Sequence, residues 1–216
     1  HPAKGERRET EIFMNNPLRY EGLTFYQASF EPGDTVTFDA TAEFDHYTAP
    51  QSNPTASTPP AKPTQTYASR YTLSLGGRSA RLLHFGPAHT RDDTIVYWPD
   101  LKVVSLGDEV VATAPFLDYP GGLNLSGWMS ALDQVLTLDW DLAIPGHGDN
   151  PMTRDEVAAF REKLKTLRDR ARAQVRAGTP KAGLVAAVKV DDLWTLAPNY
   201  WTQARVDGLW REAGGK

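Results

Sequence analysis

The sequence has 216 residues, with 27 acidic and 23 basic side chains for a net charge of −4, five histidines and no cysteine. The missing cysteine excludes a disulfide scaffold, a thiolate zinc finger, an iron–sulfur cluster and a cysteine nucleophile. Mild acidity argues against a nucleic-acid surface, which carries a basic excess, and no apolar run approaches the roughly 18 residues of a membrane span.

The length corresponds to about one to one and a half domains, enough chain to bury a core without staples. No signal peptide opens it: His1-Pro2-Ala3-Lys4-Gly5-Glu6 is polar and charged, and there is no initiator methionine. The expectation is a processed chain or a piece of something longer. Residues 1–40 read as a β-rich segment, with a strand pair about a turn at Glu21-Gly22 and a further turn at Pro32-Gly33. Residues 41–216 read as one α/β domain. Within it, residues 48–66 hold five prolines among small polar residues, which marks a linker or surface loop.

From Tyr67 onward the elements alternate. Tyr71–Leu75 alternates polar and apolar residues, turns at Gly76-Gly77 and returns as Ala80–Phe85, a hairpin. Thr94–Trp98 and Lys102–Leu106 are further strands, stopped by Pro99-Asp100 and Gly107-Asp108. Residues 126–137 place Trp128, Leu132, Val135 and Leu136 on one helical face. Asp141–Ile144 is a short strand halted by Pro145-Gly146. Thr153 and Glu156 form a capping box for the longest helix, and Gly178 stands where a C-terminal glycine belongs. The remainder reads as two helices carrying Trp194, Trp201 and Trp210, read as packing anchors.

Three segments share one design: a strand, a glycine or proline turn, then a side chain that can ligate metal. They are Gly86-Pro87-Ala88-His89-Thr90, Leu106-Gly107-Asp108 and Ile144-Pro145-Gly146-His147-Gly148. Without cysteine, a metal here needs histidine nitrogen and carboxylate oxygen. His89, Asp108 and His147, on consecutive strand ends, could meet around zinc. Each segment by itself is also a common turn.

These segments resemble the metallo-β-lactamase-fold hydrolases. GPAHT, GD and PGHG occur in order, 19 residues from His89 to Asp108 and 39 from Asp108 to His147. The resemblance implies an α/β fold, an αββα sandwich with metals at one edge of two sheets. It implies that His89 binds a first zinc, that His147 binds a second, and that Asp108 bridges both and orients the water. A hydroxide shared by two zinc ions would then attack an ester, thioester, lactone or lactam. Asp93 is a candidate partner behind the ligands, or a simple turn residue. Asn124 is a candidate for a substrate pocket, and Trp128 a buried residue at a helix entry. The implied partner is a small-molecule substrate.

The family's H-x-H-x-D-H signature is absent. The nearest fragment, Thr41-Ala42-Glu43-Phe44-Asp45-His46, has threonine and glutamate where histidines belong. His46 is read as a surface or packing residue, His84 as structural within a strand, and His1 as a terminal residue. The N-terminal half of the sandwich is therefore expected to be incomplete or replaced. With three ligands, the chain is expected to hold fewer zinc ions, or hold them weakly, and to hydrolyse little.

Residues 11–35, with Asn16-Pro17-Leu18-Arg19-Tyr20 and Thr24-Phe25-Tyr26-Gln27, resemble a segment of ResB-type cytochrome c biogenesis proteins. That likeness implies an alternative, a non-enzymatic module related to cytochrome c assembly. Oligomeric state and localisation stay open, with a periplasmic or secreted bacterial placement favoured over a cytoplasmic one.

Overall fold

The computed structural model describes Leu18–Tyr20, Leu23–Phe25 and residues 66–215 except Gly76. The expected boundary at residues 40 and 41, most of the proline-rich loop, His1, His46 and the 41–46 fragment lie outside the described residues. β1 (Leu18–Tyr20) and β2 (Leu23–Phe25) pair antiparallel, with Tyr20 opposite Leu23. This is the strand pair the sequence predicts; the expected turn residues Glu21 and Gly22 lie outside the described residues.

The second sheet has five strands in sequence order: β3 (Arg70–Leu75), β4 (Arg78–Leu83), β5 (Ile95–Trp98), β6 (Val103–Gly107) and β7 (Leu142–Pro145). The first four pair antiparallel. β6 and β7 are parallel, because a 13-residue helix, α1 (Leu125–Thr137), carries the chain back between them. This topology places the C-terminal ends of β4, β6 and β7 and the N-terminal end of β5 along one edge. All three metal-capable segments therefore leave the sheet on the same side.

Alternation decides the buried face. Ile95, Tyr97, Val104, Leu106 and Ala143 are buried and share one core with Trp128, Leu132 and Val135 of α1. α2 (Arg154–Arg176) adds Val157, Phe160, Leu164 and Leu167 to that core. The sheet and its helical layer form one β/α half of the expected sandwich.

Local chemistry fixes the helix ends. Asn124 caps α1 by accepting from Gly127 N at 2.8 Å. Thr153 and Glu156 make the predicted capping box of α2. Gly178, at φ +82°, follows that helix in the left-handed conformation that favours glycine. Arg154, at the first turn of α2, donates to the carbonyls of Leu136, Leu138 and Trp140 at 2.5, 2.8 and 3.0 Å. It thus satisfies the C-terminal end of α1 and ties the two helices together.

The C-terminal part departs from the sequence reading. Its helices are α3 (Leu184–Val188), preceded by a 3₁₀ turn at Lys181–Gly183, and α4 (Gln203–Glu212). Of the three tryptophans only Trp210 is helical. Lys189, at φ +50°, breaks the chain out of α3, and Trp194 lies in the turn that follows, with its amide on the Val190 carbonyl at 3.1 Å. Pro198 and the extended stretch before Thr202 keep Trp201 out of a helix. Trp194 is buried against Phe160, ring centroids 6.3 Å apart.

Candidate metal centre

Asp108 follows the last residue of β6, and His147 stands two residues beyond β7. Because these strands are parallel neighbours, both side chains emerge together. His147 Nε2 lies 3.2 Å from Asp108 Oδ1, and both side chains are a little under half exposed. The backbone fixes the pair from both sides: Gly146 N donates to Val110 O at 2.9 Å and Ala112 N to His147 O at 2.8 Å. Gly146 has to be glycine here, since a Cβ at that position would overlap Asp108 Oδ1 and the Gly107 carbonyl.

His89 sits deeper. It is 6% exposed, with its ring edge-on to Trp128 at 5.1 Å. Its Nε2 meets the Phe116 carbonyl at 2.9 Å. A carbonyl only accepts, so this nitrogen carries the proton and Nδ1 faces Asp93 Oδ1 at 3.9 Å, too long for a hydrogen bond. Burial disfavours the charged ring, yet Asp93, Asp108 and the Phe116 carbonyl outweigh it and hold the His89 pKa above the usual value.

Asp93 closes its own turn, accepting from Thr90 N at 2.6 Å and Thr90 Oγ1 at 2.8 Å. It therefore serves as a turn residue and also lies within electrostatic reach of His89. His84 stands one residue beyond β4 and bonds the Asp93 carbonyl through Nδ1 at 2.9 Å, a structural role. The Asn124 side chain is engaged in capping α1, while the Asn124 backbone N–H donates to Ala88 O at 2.9 Å. That bond and the close approach of Gly127 to the Pro87 carbonyl press α1 onto the GPAHT turn. Asn124 also borders a cleft with Tyr119, Arg172 and Glu212.

Zinc bonds of 2.0–2.1 Å in tetrahedral geometry put two donors about 3.3 Å apart. Asp108 Oδ1 and His147 Nε2 have that bite. His89 does not join them while its Nε2 holds Phe116, and among the described residues no group of three or more histidine, aspartate or glutamate side chains is gathered to hold an ion. The three expected ligands thus share one edge of the sheet, and two of them share one point.

Two neighbours of the centre carry no signal in the sequence pattern. Glu109 reads as part of a turn but is 2% exposed. Its Oε2 is buried without a hydrogen-bond partner, and burial, then the charge of Asp93, pushes its pKa well up. Phe116 contributes through its backbone, which no side-chain motif records.

A sequence profile described as the Metallo-beta-lactamase superfamily matches residues 12–147, more than half of the chain, and ends on His147. The chain belongs to the metallo-beta-lactamase superfamily. This superfamily member is similar to 2,4-dinitroanisole O-demethylase subunit alpha of Nocardioides sp. (strain JS1661), with 31% identity over 78 residues, 36% of this chain and 24% of that protein. In structure it is similar to the stereoselective inverting sec-alkylsulfatase Pisa1 from Pseudomonas sp., with a TM-score of 0.55 and 16% identity over 73% of this chain and 27% of that one. It is also similar to a metallo-beta-lactamase from Pontibacter korlensis, with a TM-score of 0.43 and 22% identity over 49% of this chain and 50% of that one. The superfamily member thus spans about a quarter of the length of the demethylase subunit and of the alkylsulfatase. Among the described residues no helix is long and apolar enough to cross a membrane.

Proposed function

We propose that this chain is a zinc-dependent hydrolase of the superfamily, with Asp108 and His147 as its zinc-holding pair. The observation that carries the reading is their 3.2 Å approach at the ends of two parallel strands. His89 is the third ligand in this reading, available once its Nε2 leaves the Phe116 carbonyl. A zinc ion held there supplies Lewis acidity, lowering the pKa of water toward neutrality and polarising the bond under attack.

The chain's own contribution is placement. Parallel strands fix the donor pair before any ligand arrives, so little ordering remains to be done on binding. The Asp108 carboxylate has four lone-pair sites; those not facing His147 can accept a hydrogen bond from water and orient it. Asp93 braces the turn that carries His89.

Superfamily membership supports the hydrolase assignment, and so do relatives named for cleaving a sulfate ester and a methyl ether. The fold does not fix the substrate. Esters, thioesters, lactones and lactams all suit an activated water at this edge. Two or three ligands also imply fewer zinc ions, or weaker ones, than the two of a complete site. The test is hydrolysis of an ester, thioester, lactone and β-lactam panel by chelator-treated chain before and after zinc is restored. Activity that appears only with zinc is the expected result; hydrolysis insensitive to the chelator contradicts the reading.

A further inference from the structure

Three large apolar side chains are well exposed among the described residues, Leu73, Phe116 and Leu142. Leu73 lies within β3 and Leu142 at the far end of β7. Phe116 alone stands on the motif edge, 58% exposed, and its own carbonyl is the one that holds His89.

Its surroundings hold this exposed ring in place. The Arg205 guanidinium stacks on Phe116 at 4.1 Å and on Tyr200 at 4.6 Å. Arg205 is 8% exposed, donates to the Tyr200 carbonyl and makes no ion pair among the described residues. Tyr200 Oη in turn donates to the Pro115 carbonyl at 2.5 Å, and Leu117 is buried on the other side. A buried cation without a carboxylate is costly unless it is otherwise engaged, and this one is engaged with two rings. Phe116 is thereby clamped on one face and open on the other.

We infer that the open face of Phe116 is the apolar wall of the substrate site, selecting substrates with an aryl group beside the scissile bond. The inference rests on the hydrolase reading above and specifies its substrate class. A ring fixed before binding loses little conformational freedom when a second ring stacks on it, and such aromatic pairs add to simple burial.

The test compares the full chain with Phe116→Ala and Phe116→Tyr, zinc restored, on phenyl acetate and methyl acetate. Phenol binding is followed in parallel by NMR titration. Phe116→Ala is expected to raise KM for phenyl acetate about three- to tenfold, with a smaller effect on methyl acetate than on phenyl acetate, and to weaken phenol binding by the same factor. Phe116→Tyr, which keeps the ring, is expected to behave as the parent. Because the side chain is mostly exposed, unchanged unfolding midpoints are expected for both variants.

Equal KM and equal phenol affinity in the parent and Phe116→Ala would overturn the wall, as would a parent that does not bind phenol. A parent that binds phenol through Phe116 but cleaves neither ester counts against the hydrolase reading on esters and leaves the wall standing.

Discussion

Removing either member of the donor pair, by Asp108→Ala or His147→Ala, is expected to lower zinc-restored hydrolysis at least about 100-fold, beyond the 10–100-fold usual for groups behind the ligands. Both side chains are nearly half exposed, so neither truncation opens a core cavity, and unfolding free energies are expected within about 0.5 kcal/mol of the parent. Gly146→Ala gives an independent version of the same result. It removes no ligand, but its Cβ collides with Asp108 Oδ1 and the Gly107 backbone, so β6 and β7 cannot keep their ends in register. A comparable loss of activity is expected, measured as kcat/KM on the best substrate of the panel. If all three variants keep parental zinc-dependent rates, the pair is not the metal site.

The second large effect concerns stability. Trp128 is fully buried, packs on His89 at 5.1 Å and Phe160 at 5.9 Å, and donates Nε1 to the Glu109 carbonyl at 2.8 Å. It therefore joins α1 to α2, to the GPAHT turn and to the segment after β6. Trp128→Ala is expected to cost about 3–5 kcal/mol, as for other large aromatic truncations that leave cavities. Trp128→Phe keeps most of the volume and loses the hydrogen bond, with an expected cost nearer about 1–2 kcal/mol. Urea unfolding of the two variants checks this, and a Trp128→Ala cost below about 1 kcal/mol would mean that Trp128 is not the central joint.

Much of this was legible from local patterns. The hairpin of β3 and β4 follows from alternation around Gly76-Gly77. The capping box at Thr153 and Glu156 depends on residues three apart, and Gly178 on its own backbone conformation. The common edge of the three motifs follows from strand–turn–ligand grammar repeated three times. Features that depend on distant partners were not legible. His89 is bonded to a backbone carbonyl 27 positions away, an atom every residue possesses. Nothing near Glu109 says that this residue beside Asp108 is buried with a carboxylate oxygen lacking a hydrogen-bond partner. Trp194 and Trp201 have the spacing of a helix face, but Lys189 turns left-handed and Pro198 interrupts the run, and chain reversal set by the core overrides that weak periodicity. The same limit applies to Phe116: its exposure and its Arg205 clamp come from segments nearly ninety positions apart.

How much zinc the chain holds, and through which residues, decides whether Asp108 and His147 form a metal site. Purified chain should be saturated with zinc, dialysed exhaustively and analysed for metal, alongside Asp108→Ala and His147→Ala. The expected result is fewer than two tightly held zinc ions per chain, with the zinc retained by the parent lost in both variants. Two tightly held ions per chain, or zinc retained equally by both variants, would contradict it.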